Sequence, residues 1–268
     1  MNCVRWNGVS VSRLLLGGNP FSGFSHQGPE RDREMLRYYT VERIKATLRE
    51  AEACGITGLV ARSDRHIIRT LLEHRDEGGA IQWFAQTAPE IAFRTTVSDA
   101  KEAGAVACHL HGGVSDFLFA QRRTGEIQDS VAYIRDRGLL AGIAGHNPQV
   151  FVWAEEAGLP VDYYMCSYYN PSARDRCPEH VSGVAEWFRE EDRRTMTGVI
   201  QRLSRPVIHY KVLAAGRNDP VEAFRTVAAS MRSQDAVCVG VFTKYAPGMI
   251  RADVELLEDA LARLRKGA

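Results

Sequence analysis

The sequence predicts a single (β/α)8 TIM barrel of the α/β class, with an N-terminal β-hairpin that caps the barrel bottom. Eight short apolar runs recur along the chain, helical patterns separate them, and Asn7-Gly8 lies between alternating residues near the start. Strands that alternate with helices form parallel sheets with right-handed crossovers. Because 268 residues suit one barrel and no Pro/Gly-rich linker divides the chain, we expect one domain over residues 1–268.

The strands are predicted in chain order from the apolar runs. Asn-Gly between alternating residues is the strongest short-range signal for a two-residue hairpin turn, so Val4–Val11 is predicted to form the hairpin. Eight barrel strands follow it. They are Leu14–Gly17, Gly58–Ala61, Ile81–Ala85, Val106–His109, Leu139–Ala144, Val161–Met165, Val207–Tyr210 and Val237–Val241.

Helical periods and two long connections lie between these strands. Thr40 is a plausible N-cap, and the charged run Arg189–Arg194 indicates the start of another helix. Asn19–Tyr39 and Ser167–Glu190 are too long for turns, and both follow strand ends, so we expect both to cover the catalytic face. The predicted helices are Val41–Ala53, Ile67–Glu73, Ser130–Arg137, Pro148–Glu156, Val221–Met231 and Asp253–Leu264.

Composition excludes several functional classes. Hydrophobic residues make 45% and charged residues 25%, and the net charge of +1 provides no basic field for nucleic acid or an anionic membrane. No apolar run reaches the length of a membrane span, the start does not resemble a secretory signal, and the six cysteines form no C-x-x-C motif. We therefore expect a cytoplasmic protein with reduced thiols that acts on a small molecule; a homo-oligomer stays open.

Several segments resemble those of aldo-keto reductases. Val9–Gly17 is similar to the hairpin and first strand with which that family closes its barrel. The resemblance covers most of the chain and implies a (β/α)8 barrel that reduces carbonyl groups with NADP(H). The other similar segments are Thr40–Gly55, Val106–His111, Gly138–Asn147, Val161–Asn170 and Val207–Gly216.

The chain departs from that family where its catalytic residues are expected. The family uses a tyrosine acid assisted by aspartate, lysine and histidine, and its aspartate and tyrosine follow strand two. Here Ala61–His66 contains Asp64 but no tyrosine, and Gln86 stands at the lysine position. His111 matches the family histidine. A reduction that ends in an alkoxide needs a proton donor, for which His66 is a candidate.

The resemblance also implies a cofactor-binding pair. Lys244 and Arg251 are similar to the basic residues that hold the adenosine phosphate of the dinucleotide in that family. The same pair could instead hold a substrate phosphate, because phosphate sites of barrels often lie beyond strands seven and eight. A third interpretation is a solvated loop and helix start.

Strand alternation predicts a ring of polar side chains at the C-terminal ends of the strands. His109 and His111 share one side of strand four. On strand seven, the same alternation groups His209 with Lys211 and turns Tyr210 toward the helices. The predicted ring is Asn19, Arg62, Asp64, His66, Gln86, His109, His111, His146, Tyr168, Asn170, Lys211 and Lys244.

Lys211 and the histidines are the strongest candidates for chemistry in this ring. An amine removed from water loses its proton more readily, which suits Lys211 as a base or an imine-forming group; a salt bridge to Asp64 is the structural alternative. A divalent metal such as zinc is another candidate. His109 or His111, with His146 and Asp64 or Asp116, would supply three ligands, although H-x-H also occurs as a hydrogen-bonded core pair.

Three functions remain open. The favoured one is a lyase, isomerase or hydrolase for a small polar, carbonyl-bearing or sugar-like substrate, in which His111 and His146 move protons and Lys211 stabilises an enolate. The second is an NAD(P)H-dependent reductase with altered catalytic residues. The third is a catalytically idle barrel used for binding, which the crowded polar mouth disfavours. In the favoured function, Asp64 and His66 are further catalytic residues. The residues expected to contact the substrate are Asn19, Arg62, Gln86, His109, Tyr168 and Asn170.

Overall fold

A closed barrel of eight parallel strands and an antiparallel hairpin organise the chain. The computed structural model describes residues 1–172, 176–179 and 185–267. In it, each barrel strand pairs with the next in chain order, and the last closes on the first, so the predicted fold is confirmed. The hairpin is β1 (Cys3–Trp6) and β2 (Val9–Ser12); the barrel is β3 (Leu14–Gly17), β4 (Gly58–Arg62), β5 (Gln82–Gln86), β6 (Ala107–Leu110), β7 (Leu140–Gly145), β8 (Tyr163–Ser167), β9 (Val207–Tyr210) and β10 (Ala236–Gly240).

The helices pack around the barrel and include several that the sequence patterns did not indicate. The connection after β3, expected as a long loop, contains α1. Two others escaped prediction because α4 begins without a capping side chain and α5 begins with two glycines. The helices are α1 (Pro29–Tyr38), α2 (Val41–Ala53), α3 (Arg65–Asp76), α4 (Phe93–Glu102), α5 (Gly112–Ala120), α6 (Thr124–Asp136), α7 (Pro148–Glu156), α8 (Glu190–Ile200), α9 (Pro220–Ser230) and α10 (Met249–Gly267).

The hairpin closes the bottom of the barrel. Asn7 and Gly8 both have positive φ, which is the geometry of the type I′ turn that the Asn-Gly pair predicts. Trp6 then stacks on Tyr163 inside the barrel, with ring centroids 5.7 Å apart. A Cβ at Gly142 would lie 2.6 Å from the Tyr163 ring, so the glycine leaves the space that this ring fills. With the bottom packed by aromatic rings, the C-terminal ends of the strands form the accessible mouth.

Two further observations concern the described part of the chain. None of its helices has both the length and the apolar character needed to cross a bilayer. Its cysteines are unpaired, and Cys108, Cys166 and Cys238 are buried, as expected for packing residues.

Candidate active site

Two adjoining cavities open at the C-terminal ends of the strands. One has a volume of about 380 Å³ and the other about 230 Å³. Tyr210, the last residue of β9, and Lys211 line both of them. The other residues that line both cavities are Asn19, Phe24, His26, Arg62 and Gln86. This shared boundary is the candidate site, because barrels assemble their chemistry at the strand ends.

A chain of three side chains reaches the boundary from one side. His146, just after β7, contacts the Oδ2 atom of Asp116 through its Nδ1 atom at 2.8 Å. Its Nε2 atom lies 3.2 Å from the phenol oxygen of Tyr210. Asp116 and His146 are only 5% and 8% exposed, whereas Tyr210 borders both cavities. We call Asp116, His146 and Tyr210 the mouth triad.

The backbone fixes the geometry of the mouth triad. The Asp116 carboxylate accepts hydrogen bonds from the backbone N–H groups of His146 and Asn147 at 3.0–3.1 Å. Gly112 lies where a side chain would collide: a Cβ there would be 3.0 Å from the Tyr210 hydroxyl and 3.1 Å from the His146 ring. Asn147 caps α7, and this places His146 at the turn between strand and helix.

These contacts define the protonation pattern of the mouth triad. An ionised carboxylate only accepts hydrogen bonds, so the Asp116 contact keeps a proton on Nδ1 of His146. The Nε2 atom of the neutral ring is then an acceptor for the Tyr210 hydroxyl, which has the Gly145 carbonyl oxygen at 3.3 Å as a second acceptor. When His146 is protonated, the direction reverses, and Asp116 stabilises the resulting charge. The triad can therefore pass a proton to or from the cavity through Tyr210.

A second chain of three side chains reaches the same boundary. The Nζ atom of Lys211 lies 2.8 Å from Nε2 of His26, which belongs to the connection between β3 and α1. The Nδ1 atom of His26 lies 2.8 Å and 2.9 Å from the two carboxylate oxygens of Glu186. Glu186 belongs to the connection before α8, and its side chain is 6% exposed. We call Lys211, His26 and Glu186 the lysine relay.

Unusual backbone conformation positions the lysine relay. Lys211 and His26 have φ values of 58° and 55°, in the left-handed region that L-residues rarely adopt. Regular alternation would turn Lys211 away from the face that carries Tyr210. The left-handed conformation at Lys211 interrupts this alternation, and both side chains line the same cavities. Such conformations cost about 1–3 kcal/mol each and are concentrated at functional sites.

The alternation expected for strand seven is reversed in the structure. Ile208 belongs to the cluster that fills the barrel interior, and Tyr210 packs against it, so these two residues face inward. His209 faces the helices and is fully buried. The sequence is ambiguous here because both faces of the strand combine an aliphatic residue with a polar aromatic one, and only the packing decides between them.

Arg62 and Gln86 form another wall of the mouth. The Arg62 guanidinium contacts the Asp64 carboxylate at 2.8 Å and also contacts Glu90. It lies over the ring of Phe24, 5.0 Å from the centroid. Burial lowers the pKa of Arg62, and Asp64 offsets part of this effect. The Asp64 carboxylate also accepts a hydrogen bond from the Ile67 N–H and so caps α3. Both contacts join this carboxylate to other residues of the protein.

The two strand-four histidines lie at different depths. His109 is inside the barrel, where its Nδ1 atom lies 3.0 Å from the Tyr163 hydroxyl, and burial lowers its pKa to about 3. It is therefore neutral at pH 7. His111 lies higher and lines the smaller cavity, and its Nδ1 atom accepts a hydrogen bond from the Gly113 N–H at 3.1 Å. Of the pair, only His111 borders the mouth.

Several residues of the predicted ring lie outside both cavities. His66 is exposed on the first turn of α3, and Asn170 is exposed beyond β8. Lys244 is paired with Glu34 at 2.7 Å, and Arg251 is exposed on α10. The structure thus brings together Asn19, Arg62, Gln86, His111, His146 and Lys211 from that ring.

Tyr168 belongs to a second triad of the same composition, outside the barrel wall. Its hydroxyl lies 3.0 Å from Nδ1 of His209, whose Nε2 atom lies 3.2 Å from Oδ2 of Asp235. Asp235 also receives hydrogen bonds from the Arg232 guanidinium at 2.9–3.0 Å. Burial lowers the pKa of His209 and raises that of Tyr168. We call Tyr168, His209 and Asp235 the buried triad.

Among residues 1–172, 176–179 and 185–267, no group of three or more His, Cys, Asp or Glu side chains is arranged to hold a metal ion. Of the zinc ligands considered from the sequence, His146 and Asp116 contact each other, whereas His109 and Asp64 contact other residues. His109 contacts Tyr163 inside the barrel, His146 contacts Asp116 and Tyr210, and Asp64 contacts Arg62. The proposed set of three ligands is therefore not assembled in this part of the chain.

Three central residues of the site were not identified from the sequence. Tyr210 was assigned to the wrong face of its strand. His26 and Glu186 lie in the two long connections that were expected over the catalytic face, so loop length was the signal available for them. Asp116 was considered only as a metal ligand, because nothing in the sequence shows that α5 turns it toward His146.

Comparison with known proteins supports the fold. No protein-family model and no curated protein matches the chain. A Pseudomonas aeruginosa protein proposed to be an aldo-keto reductase shares 17% identity, covering 95% of this chain and 93% of its own, with a TM-score of 0.63. The truncated 3-deoxy-D-arabino-heptulosonate 7-phosphate synthase of Thermotoga maritima shares 12% identity, covering 99% and 91%, with a TM-score of 0.56. The N-acetylneuraminic acid synthetase of Leptospira borgpetersenii shares 10% identity, covering 98% of this chain and 90% of its own, with a TM-score of 0.55.

These likenesses support the aldo-keto reductase-like expectation at the level of the fold. The neighbours perform different chemistry on one architecture, and at such identities the shared barrel does not carry a reaction from one to another. The function must therefore be argued from the side chains at the mouth.

Proposed function

We propose that this protein is an enzyme that transfers protons on a small polar substrate with a carbonyl group, as an isomerase or lyase does. The observation that carries this proposal is the mouth triad, in which Tyr210 borders both cavities and contacts the His146 imidazole at 3.2 Å. A proton taken from or given to a bound substrate passes between Tyr210 and His146. Asp116 stabilises the protonated imidazole, which makes this exchange easier.

Lys211 supplies the second requirement of such chemistry. Removal of a proton beside a carbonyl group places negative charge on the carbonyl oxygen, and a cationic group at the same boundary stabilises that charge. Lys211 is held there by His26, and Asn19 and Gln86 line the same walls as hydrogen-bonding groups. His111 borders the smaller cavity and is a further polar contact for the substrate.

Solvent exchange tests this proposal without knowledge of the natural substrate. The protein is incubated in D2O with pyruvate, hydroxyacetone and glyceraldehyde, and loss of the C–H signal beside each carbonyl is followed by proton NMR. We expect exchange of at least one probe to be faster than in buffer by a factor of about 10² or more, as general acid–base catalysis provides. Rates equal to those in buffer for every probe would contradict the proposal.

An NAD(P)H-dependent reductase is the second candidate. Tyr210 favours it, because a phenol at the mouth is the proton donor that such a reduction needs and that Ala61–His66 lacks. Lys244 and Arg251 would then hold the adenosine phosphate from the rim. Titration with NADPH and NADH, followed by nicotinamide fluorescence, tests this candidate. Micromolar binding would favour the reductase, and absence of binding up to millimolar concentration would remove it.

A further inference from the structure

We infer that Lys211 is the group that reacts covalently with the substrate, by forming an imine with its carbonyl carbon. The inference rests on the proposed function and deepens it: it names aldehydes and ketones as the substrate class, and it replaces stabilisation of the carbonyl oxygen by the Lys211 ammonium with a covalent iminium. The lysine relay carries it: Nζ of Lys211 lies 2.8 Å from His26, and His26 lies 2.8 Å from Glu186. An ammonium becomes a nucleophile only when it loses a proton, and this arrangement provides the acceptor.

The protonation pattern of the relay explains how the amine is released. Contact with the Glu186 carboxylate keeps a proton on Nδ1 of His26, so Nε2 accepts a hydrogen bond from the Lys211 ammonium. When the proton moves along that bond, the carboxylate stabilises the charged imidazole. The positive charge thus moves from Lys211 to His26, and a neutral amine faces the substrate.

The use of lysine in this chain is consistent with that role. Only five of the 34 basic side chains are lysines: Lys45, Lys101, Lys211, Lys244 and Lys266. Lys45 and Lys244 contact carboxylates directly, as ion-pairing lysines do, and the Nζ atom of Lys211 contacts the His26 imidazole at 2.8 Å. Arginine keeps its proton at all ordinary pH values and forms no imine, so a reactive amine at the mouth requires lysine.

The mouth triad completes the reaction. The amine nitrogen attacks the carbonyl carbon, the new C–N bond forms, and the electron pair of the C=O π bond moves to oxygen. Tyr210 delivers a proton to that oxygen and then passes to it the second proton that the nitrogen gives up, so that the nitrogen lone pair forms the C=N bond as the C–O bond breaks and water leaves. The nitrogen loses two protons between ammonium and iminium, and the oxygen gains two in becoming water, so charge and atoms balance. The iminium then withdraws electrons from the neighbouring C–H bond.

Reductive trapping tests the inference at single-residue level. The protein is incubated with pyruvate, hydroxyacetone or glyceraldehyde and sodium cyanoborohydride at pH 7, and each lysine adduct is quantified by peptide mass spectrometry. Exposed Lys101 and Lys244 serve as internal controls for unassisted labelling. We expect Lys211 to be labelled at least ten times faster than either of them. Labelling of Lys211 at or below the rate of these controls would overturn the inference.

Variants separate the relay from simple exposure of the amine. His26→Asn removes the imidazole while an asparagine still tolerates the left-handed backbone, and it should slow labelling of Lys211 about tenfold. Lys101→Arg, at an exposed position on α4, is the control and should leave Lys211 labelling unchanged. Unchanged labelling in His26→Asn would overturn the relay. Solvent exchange without trapping at Lys211 would refute the imine alone, and trapping without exchange would refute the proton transfer alone.

Discussion

Two triads of the same three residue types lie in this barrel, and their surroundings separate a reactive group from a structural one. In the mouth triad, Tyr210 borders two cavities, and Asp116 is held by backbone N–H groups. In the buried triad, all three side chains are at most 1% exposed, and Arg232 balances the charge of Asp235. The comparison teaches that the composition and contacts of a triad do not reveal its role, whereas access to a cavity does.

The largest expected effect separates catalysis from stability at His146. His146→Gln removes the acceptor for the Tyr210 proton, so solvent exchange should fall by a factor of about 10²–10⁴. The melting temperature should change little, because Asp116 keeps its backbone partners. Exchange by NMR and thermal unfolding by circular dichroism check the two parts. Loss of folding together with loss of exchange would assign both triads to structure.

The buried triad should show the opposite behaviour. His209→Phe keeps a ring but removes the imidazole partner of the buried Tyr168 hydroxyl, whereas Asp235 keeps its hydrogen bonds from Arg232. Urea unfolding should therefore show a loss of free energy of about 1–3 kcal/mol. The exchange rate per folded molecule should stay close to that of the parent protein. A catalytic loss without a stability loss would reverse our assignment.

His109 extends the comparison to pH, since it is a buried histidine that lies beneath the mouth. Its pKa of about 3 lies below the ordinary 6.5, so the unfolded chain binds one more proton between these values and acid destabilises the fold. His109→Leu removes this proton uptake. Between about pH 6 and pH 4, the free energy of unfolding should fall less steeply with acid in the variant than in the parent. The two slopes should differ by about 1.4 kcal/mol per pH unit. Equal slopes in urea unfolding would contradict the assigned pKa.

Gly112 tests how closely the mouth triad must be held. An alanine there would place its Cβ 3.0 Å from the Tyr210 hydroxyl, so that group must shift by a few tenths of an ångström. We expect Gly112→Ala to slow exchange about tenfold, since catalysis depends steeply on position. Gly125→Ala in α6 is the control, because a Cβ there meets nothing within 4 Å. Equal exchange rates in the two variants would show that the contact is not needed.

The sequence predicted the fold more completely than the site. Apolar runs and Asn7-Gly8 located the hairpin and all eight strands to within two residues, because periodicity and turn chemistry are local properties. The mouth depends on contacts between residues distant in sequence, such as Asp116 with His146 and Lys211 with His26. Because the two faces of β9 carry similar residue types, the prediction placed Tyr210 on the wrong face of the strand. The left-handed backbone at Lys211 has no local sequence signal.

The most direct test of the central claim is the exchange rate of Tyr210→Phe measured beside the parent protein in D2O at pH 7. This variant removes one hydroxyl from the cavity boundary and leaves the ring in place. Our account predicts that the variant stays folded and loses at least 99% of the exchange activity, as removal of a general acid–base group does. A folded variant that exchanges its substrate as fast as the parent would contradict the assignment of the mouth triad to proton transfer.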